Sequence, residues 1–245
     1  MLSLIISISS CSTMSTKQKL IQSQALRNLG EALMSQGQYN EALKELLKAE
    51  RLFPDDAYLH NDLGLVYLYK KKIELAIDHF SRAVSINPDY ADAMNNLGIV
   101  YIENHDWDKA IGCLQKVSEN ILYATPHIPY ANLGWAYYNK NQYDTSILYY
   151  EKALNLAPDF SIALRGLGRT YMAKGDIDRA IEILEKTIQQ APRFTDAYYD
   201  LAKAYRMSFN YELAIKNYEK VISFAPHTPI ANKAKTELDQ LTHQR

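Results

Sequence analysis

The chain has 245 residues, with 27 Lys and Arg against 28 Asp and Glu and a net charge of −1. It is long enough to bury a large core. Its balanced charge argues against nucleic-acid binding, which needs a basic excess. No apolar run reaches the roughly 18 residues of a membrane-spanning helix.

The first residues differ in composition from the rest. Residues 1–10 are uncharged and lean apolar, and Ile8–Cys11 places an aliphatic residue and two small residues before a cysteine. This order resembles the lipobox of bacterial lipoproteins. The resemblance implies a signal peptide over 1–10, a lipidated Cys11, a polar tether over 11–22 and, because serine follows the cysteine, the outer membrane. The stretch is short and carries no Lys or Arg ahead of its apolar run, so a disordered tail with an incidental cysteine is the alternative.

A pattern of about 34 residues then repeats six times. The frames are 23–56, 57–90, 91–126, 127–160, 161–194 and 195–228. With each frame numbered from 1, position 8 is Gly30, Gly64, Gly98, Gly134, Gly168 and Ala202. Position 20 is Ala42, Ala76, Ala110, Ser146, Ala180 and Ala214, and position 32 is Pro54, Pro88, Leu122, Pro158, Pro192 and Pro226.

These positions predict two helices in each copy. Small residues at positions 8 and 20 indicate that the helices cross closely there, because a larger side chain would overpack the crossing by about 1–3 kcal/mol. Proline at position 32 predicts the end of the second helix. At position 15, Gly37, Asn141 and Gly175 suit a left-handed turn. Lys71, His105 and Phe209 depart from this pattern, so those turns are expected to be strained or shaped differently.

The repeat resembles the tetratricopeptide repeat (TPR) family over residues 23–228. This resemblance implies an all-α fold, a right-handed TPR solenoid of helix–turn–helix repeats in which stacked copies share one core. Residues 229–245 follow the last copy. Ile230, Ala234, Leu238 and Leu241 fall on one helical face there, which predicts a C-terminal capping helix over 229–242 and a short tail.

The sequence shows no Ser/His/Asp or Cys/His arrangement typical of a catalytic site. The six histidines form no metal-ligand pair at helical spacing, so no metal site, cofactor or enzymatic activity is predicted. Trp107 stands where other copies carry Tyr or Ile and is predicted to be a core residue. Cys113 is predicted to be a buried small apolar side chain.

A binding surface is the stronger prediction. In the family that this chain resembles, the first helices line a concave groove, and asparagines at position 6 bond the backbone of an extended peptide. Apolar and aromatic side chains on such a face favour binding, with Trp135 as the best anchor, and the later copies add basic residues. The predicted groove residues are Asn28, Tyr58, Leu65, Tyr69, Asn96, Ile99, Ile102, Asn132, Trp135, Tyr138, Arg165, Arg169, Lys203 and Arg206.

The third copy gives a narrower clue. It has 36 residues and ends in a Leu-Tyr-x-Thr-Pro turn over 122–126. That turn, the six copies and the lipobox resemble the PilF/PilW (pilotin) family of type IV pilus assembly lipoproteins. The resemblance implies a periplasmic scaffold, anchored to the outer membrane only through lipid, that binds a protein or peptide client such as the pilus secretin subunit.

Three alternatives are open at this point. The first is a general cell-envelope scaffold with another client, such as a murein enzyme. The second is a soluble cytoplasmic TPR adaptor. The third, the recognition module of a multidomain enzyme, is disfavoured by the predicted cap.

Overall fold

The computed structural model describes residues 14–120 and 123–243, which contain thirteen helices and no strands. The predicted signal peptide, Cys11 and Leu122 lie outside the described residues. The helices are α1 Thr16–Ser35, α2 Tyr39–Leu52, α3 Ala57–Tyr69, α4 Ile73–Ile86, α5 Ala91–Glu103, α6 Trp107–Ser118, α7 His127–Asn139, α8 Tyr143–Leu156, α9 Ser161–Lys174, α10 Ile177–Gln190, α11 Thr195–Met207, α12 Tyr211–Phe224 and α13 Pro229–His243.

The chain forms two compact units, residues 1–96 and residues 97–245. In unit 1, the core joins α1, α2 and α3 through Leu46, Leu59 and Leu63, all fully buried. In unit 2, successive helix pairs share core clusters that end on α13, where Ala234 and Leu241 are buried. No helix of the described residues is both long and apolar enough to cross a bilayer.

The first helix begins earlier than the repeat frame predicts. Ser15 caps α1: its hydroxyl accepts from Gln18 N at 3.3 Å, while its own N–H donates to Gln18 Oε1 at 2.9 Å. This reciprocal capping box fixes a helix start. Residues 16–22, predicted as part of a tether, are therefore helical.

Close approach within each helix pair follows the glycines at position 8. A Cβ atom added to Gly64 would lie 2.6 Å from the Phe80 ring, and one added to Gly98 would lie 2.7 Å from Leu114 Cγ. The partner is thus the large residue at position 24. The atoms nearest to a Cβ added at Gly98 belong to Leu114 and Cys113.

Position 20 is small for a related reason. All six residues at this position are fully buried. In the fourth copy, Ser146 Oγ donates to the Gly134 carbonyl at 2.8 Å and also lies 3.1 Å from Thr170 Oγ1. A serine replaces alanine here without leaving a buried hydroxyl unpaired.

The turns inside the copies share one conformation. Position 15 has a positive φ in all six copies: Gly37 74°, Lys71 58°, His105 61°, Asn141 58°, Gly175 89° and Phe209 61°. Lys71 N–H donates to Leu68 O and Lys72 N–H donates to Tyr67 O, both at 2.9 Å, and these bonds satisfy the last carbonyls of the helix. The three departing residues therefore keep the common shape, at a cost of about 1–2 kcal/mol each.

The glycine contact predicts opposite effects for one substitution at two sites. Gly98→Ala should lower the free energy of unfolding by about 1–3 kcal/mol, because Leu114 must move. Gly112→Ala is the matched control, since a Cβ there meets nothing within 4 Å and alanine is the better helix former. It should leave stability unchanged or raise it by up to about 1 kcal/mol. Urea unfolding of both variants checks this, and equal stabilities would contradict the contact.

Candidate protein-binding site

Two adjoining cavities in unit 2 lie along its first helices. The smaller, about 240 Å³, is lined by α7, α8 and α9 and includes Asn132 and Trp135. The larger, about 490 Å³, is lined by α7, α9, α11 and α13 and includes Tyr138 and Lys203. Arg165 and Arg169 line both cavities, which we call together the unit 2 groove.

A stack of three side chains forms the wall shared by the two cavities. The Trp135 and Tyr138 rings are 5.2 Å apart and nearly parallel, at 10°. The Arg169 guanidinium lies 4.7 Å from the Trp135 centroid and 5.2 Å from that of Tyr138. These cation–π contacts hold the half-buried Trp135 in place before any client arrives.

The groove floor is shaped by Tyr150. This residue is 2% exposed and packs against Gly134 of its own copy. Its ring also reaches Gly166 in the next copy, where an added Cβ would lie 2.3 Å from Tyr150 Cζ. Position 6 is glycine in the fifth copy because Tyr150 fills that space.

The basic residues of unit 2 divide into two kinds. Arg165 Nε donates to Asp200 at 2.6 Å, and its Nη2 lies 3.3 Å from Asp196. Arg206 bonds Glu237 of α13 at 2.5 Å. Both arginines, which were predicted as groove residues, make ion pairs that join neighbouring helices.

Arg169 and Lys203 are placed differently. Among the described residues, neither makes an ion pair. Both are half-buried and both line the larger cavity. They are therefore the better candidates for meeting an acidic group of a client.

Side chains at position 6 mainly form hydrogen bonds between neighbouring copies. Asp200 accepts from Arg165, and Asn96 Nδ2 donates to Asn61 Oδ1 at 2.9 Å. Asn28 is exposed. Asn132 differs, since its buried Nδ2 has no hydrogen-bond partner within residues 14–120 and 123–243, and its side chain lines the smaller cavity. An unpaired buried donor is costly unless something satisfies it.

Two of the predicted groove residues of unit 1 contact neighbouring tyrosine rings. Tyr58 is 51% exposed, with its ring 4.8 Å from Tyr90. Tyr69 is 59% exposed and stacks on Tyr39 at 4.7 Å. Leu65 is half-buried.

Two predicted groove residues lie at the start of unit 2. Ile99 is half-buried, whereas Ile102 is only 7% exposed and packs with Ala110 and Leu114. Ile102 lines neither cavity of the unit 2 groove. Its side chain packs in a core cluster that α5 shares with α6 and α7.

Comparisons with known proteins agree with this architecture. A family profile described as TPR repeat matches residues 30–71 and 64–105. Two profiles described as Tetratricopeptide repeat match residues 89–159, and residues 137–204 and 172–238. The chain belongs to the tetratricopeptide repeat family. A search of curated proteins gave no significant match.

Solved TPR structures resemble this chain over most of its length. The crystal structure of PilW, a widely conserved type IV pilus biogenesis factor, aligns with a TM-score of 0.79 at 22% identity, over 86% of this chain and 97% of that one. The protein pilF of Pseudomonas aeruginosa aligns with a TM-score of 0.73 at 18% identity, over 89% of this chain and 99% of that one. YrrB, a TPR protein with an unusual peptide-binding site, aligns with a TM-score of 0.54 at 21% identity, over 78% and 97%. TPR proteins bind protein or peptide partners, and this chain is a TPR protein-interaction scaffold.

Two single residues were also predicted from the repeat. Trp107 is half-buried and packs against the core cluster of α6 and α7. Cys113 is half-buried, and burial raises the pKa of its thiol. Neither lines the unit 2 groove.

Sequence spacing missed one cluster of side chains in unit 1. Glu50, His60 and His79 come from three helices, and one ligand atom of each lies within 4.8 Å of the others. The histidines are 19 residues apart in sequence, so no local spacing rule could pair them.

A buried carboxylate in unit 1 gives this TPR scaffold a pH dependence. Burial, followed by the neighbouring Glu31 carboxylate, raises the pKa of Asp62 from 3.8 to about 8, although Arg27 opposes the shift. Folded Asp62 therefore holds a proton that the unfolded chain has released. Stability is lost as pH rises between these two pKa values.

Asp62→Asn removes that loss. We expect the free energy of unfolding of the variant, measured relative to wild type, to be about 1–2 kcal/mol higher near pH 7 than near pH 5. Urea unfolding at both pH values measures it. Asp178→Asn, which removes an exposed carboxylate on α10, is the control and should show no such change. Parallel pH curves for Asp62→Asn and wild type would contradict the assignment.

Proposed function

We propose that the chain is an outer-membrane TPR lipoprotein that binds a client of type IV pilus assembly, the pilus secretin subunit, through the unit 2 groove. The function is binding, without catalysis. The observation that carries the proposal is the groove itself. Among the described residues, a preordered aromatic wall, the Asn132 amide and two cations without an ion pair, Arg169 and Lys203, line its two cavities.

The chemistry of the groove describes the segment that would fit it. The Trp135 and Tyr138 rings and the exposed Ile162 offer apolar area for an aromatic or aliphatic anchor. Asn132 Nδ2 offers one donor to a backbone carbonyl. Arg169 and Lys203 favour an acidic group beyond the anchor. The expected client segment is therefore apolar at one end and acidic at the other.

Resemblance in fold supports the choice of a pilus client. The alignments cover 97% of PilW and 99% of pilF, so the likeness includes whole chains rather than one shared repeat pair. The third copy adds the turn over 122–126 that suggested the same family. The identity of the client is part of the proposal and depends on the binding experiment below.

Anchoring at Cys11 would place the groove at the membrane. The support for it is the order of residues in Ile8–Cys11. Two or more acyl chains anchor a protein stably to a bilayer, whereas one chain binds only marginally. A lipoprotein anchor would thus concentrate the scaffold where a secretin must assemble.

Groove substitutions should weaken client binding. Trp135→Ala should cost about 2 kcal/mol or more of binding free energy, because interface anchors of this type dominate affinity. Arg169→Gln with Lys203→Gln should weaken binding in a salt-dependent way, because exposed charges are screened. Calorimetric titration of the secretin subunit into each variant measures both effects.

The matched control for the charges is Arg179→Gln, an exposed arginine on the second helix α10. Arg165 is left intact, because reversing it would strand the buried Asp200. Equal affinities for wild type, the groove variants and the control, with all of them folded, would move the binding surface elsewhere.

Lipidation is tested separately. Cys11→Ser should shift the protein from the outer-membrane fraction to the soluble periplasm, and mass spectrometry of the wild type should find acyl chains on Cys11. An unmodified cysteine, or an unchanged distribution of the variant, would remove the anchor and leave the groove proposal standing.

A further inference from the structure

The second site lies in unit 1 and shares no residue with the unit 2 groove. Three side chains converge there from different helices: Glu50 from α2, His60 from α3 and His79 from α4. His60 Nδ1 and His79 Nδ1 are 2.9 Å apart, and Glu50 Oε1 lies 3.9 Å from His60 Nδ1. Two imidazole nitrogens and a carboxylate oxygen thus face one point.

The protonation of His60 follows from its second nitrogen. His60 is 1% exposed, and its Nε2 lies 2.8 Å from the Pro54 carbonyl oxygen. A carbonyl can only accept, so Nε2 carries the hydrogen and Nδ1 of the neutral ring presents a lone pair. A backbone carbonyl on the far nitrogen is the arrangement that orients metal-ligating histidines.

The other two groups can reach the same point. Tyr67 stacks on His79, with centroids 5.2 Å apart and planes at 18°, and sets the plane of that ring. His79 and Glu50 are both half-buried, so they can adjust their positions while His60 stays fixed. Tetrahedral bonds of about 2.0–2.1 Å place two ligand nitrogens about 3.3 Å apart. The two nitrogens now face each other along a hydrogen bond, so the His79 ring must turn and move away by a few tenths of an ångström for both nitrogens to reach one ion.

We propose that Glu50, His60 and His79 form a zinc-binding site that ties the first repeat to the second. Neutral imidazole and carboxylate are ligands that Zn²⁺ accepts in a three-residue set, with water in the fourth position. Mg²⁺ and Ca²⁺ prefer oxygen ligands throughout. Without the ion, His79 Nδ1–H donates a hydrogen bond to the lone pair of His60 Nδ1, and zinc binding requires His79 to carry its hydrogen on Nε2 instead.

The site has a structural consequence. Glu50 belongs to the second helix of the first copy, and both histidines belong to the second copy. One ion would therefore cross-link the second helix of the first copy to both helices of the second copy. Binding to the folded state alone raises apparent stability in proportion to the logarithm of ligand concentration.

The test uses the full chain, purified without a histidine tag and stripped with chelator. Zn²⁺ titration by calorimetry should give one site per chain with micromolar affinity or better, and saturating Zn²⁺ should raise the melting temperature by several degrees. Co²⁺ should bind in competition with Zn²⁺ and show the absorption bands of a four-coordinate ion.

His79→Gln and Glu50→Gln change half-buried ligands and leave the buried His60 in place. Zn²⁺ affinity should fall by about 100-fold or more in His79→Gln and by about 10-fold or more in Glu50→Gln. His105→Asn removes an exposed histidine in unit 2 and should leave the titration unchanged. Circular dichroism confirms that each variant is folded.

Absence of a saturable zinc site in the wild type would overturn the proposal and leave a hydrogen-bonded histidine pair. A site that keeps its affinity in folded His79→Gln would also overturn it, because the ion would then be bound elsewhere.

Discussion

The close approach of the two helices within each repeat is the constraint on which the rest of the structure depends. A glycine at position 8 lets the large residue at position 24 pack directly on the helix backbone, as Phe80 does on Gly64 and Leu184 does on Gly168. This contact fills the centre of each copy. It also fixes the rotation of the first helix, and thereby decides which of its side chains remain available at the surface.

The candidate site follows from that rotation. Gly134 faces Tyr150, so the adjacent Trp135 is turned away from the centre of its own helix pair and stacks with Tyr138 and Arg169. Tyr150 also extends over Gly166 and closes the floor of the smaller cavity. Tyr150 therefore fills the centre of its own copy and also forms the cavity floor, because Gly166 of the next copy leaves space for its ring.

Repeat positions allowed the helices to be predicted from the sequence, because the small residues, the prolines and the turn positions are local features. The end of α12 at Phe224, two residues before Pro226, is of this kind. Pairings between copies could not be predicted in the same way. From the sequence, Arg165 was predicted as a groove cation, whereas in the structure it forms an ion pair with Asp200 at 2.6 Å. Ile102 was predicted on the groove surface, whereas in the structure it is only 7% exposed. Which charge meets which partner depends on side-chain directions that a repeat frame does not contain.

The unit 2 groove as the client-binding surface is the central claim, and site-specific photo-crosslinking in intact cells tests it most directly. A photoreactive phenylalanine analogue at Tyr138 lies on the aromatic wall, whereas one at Glu182 lies on the exposed side of α10. The groove position should give a strong crosslink to the pilus secretin subunit and the α10 position should give none. A crosslink to that subunit from Glu182 and none from Tyr138 would contradict the claim.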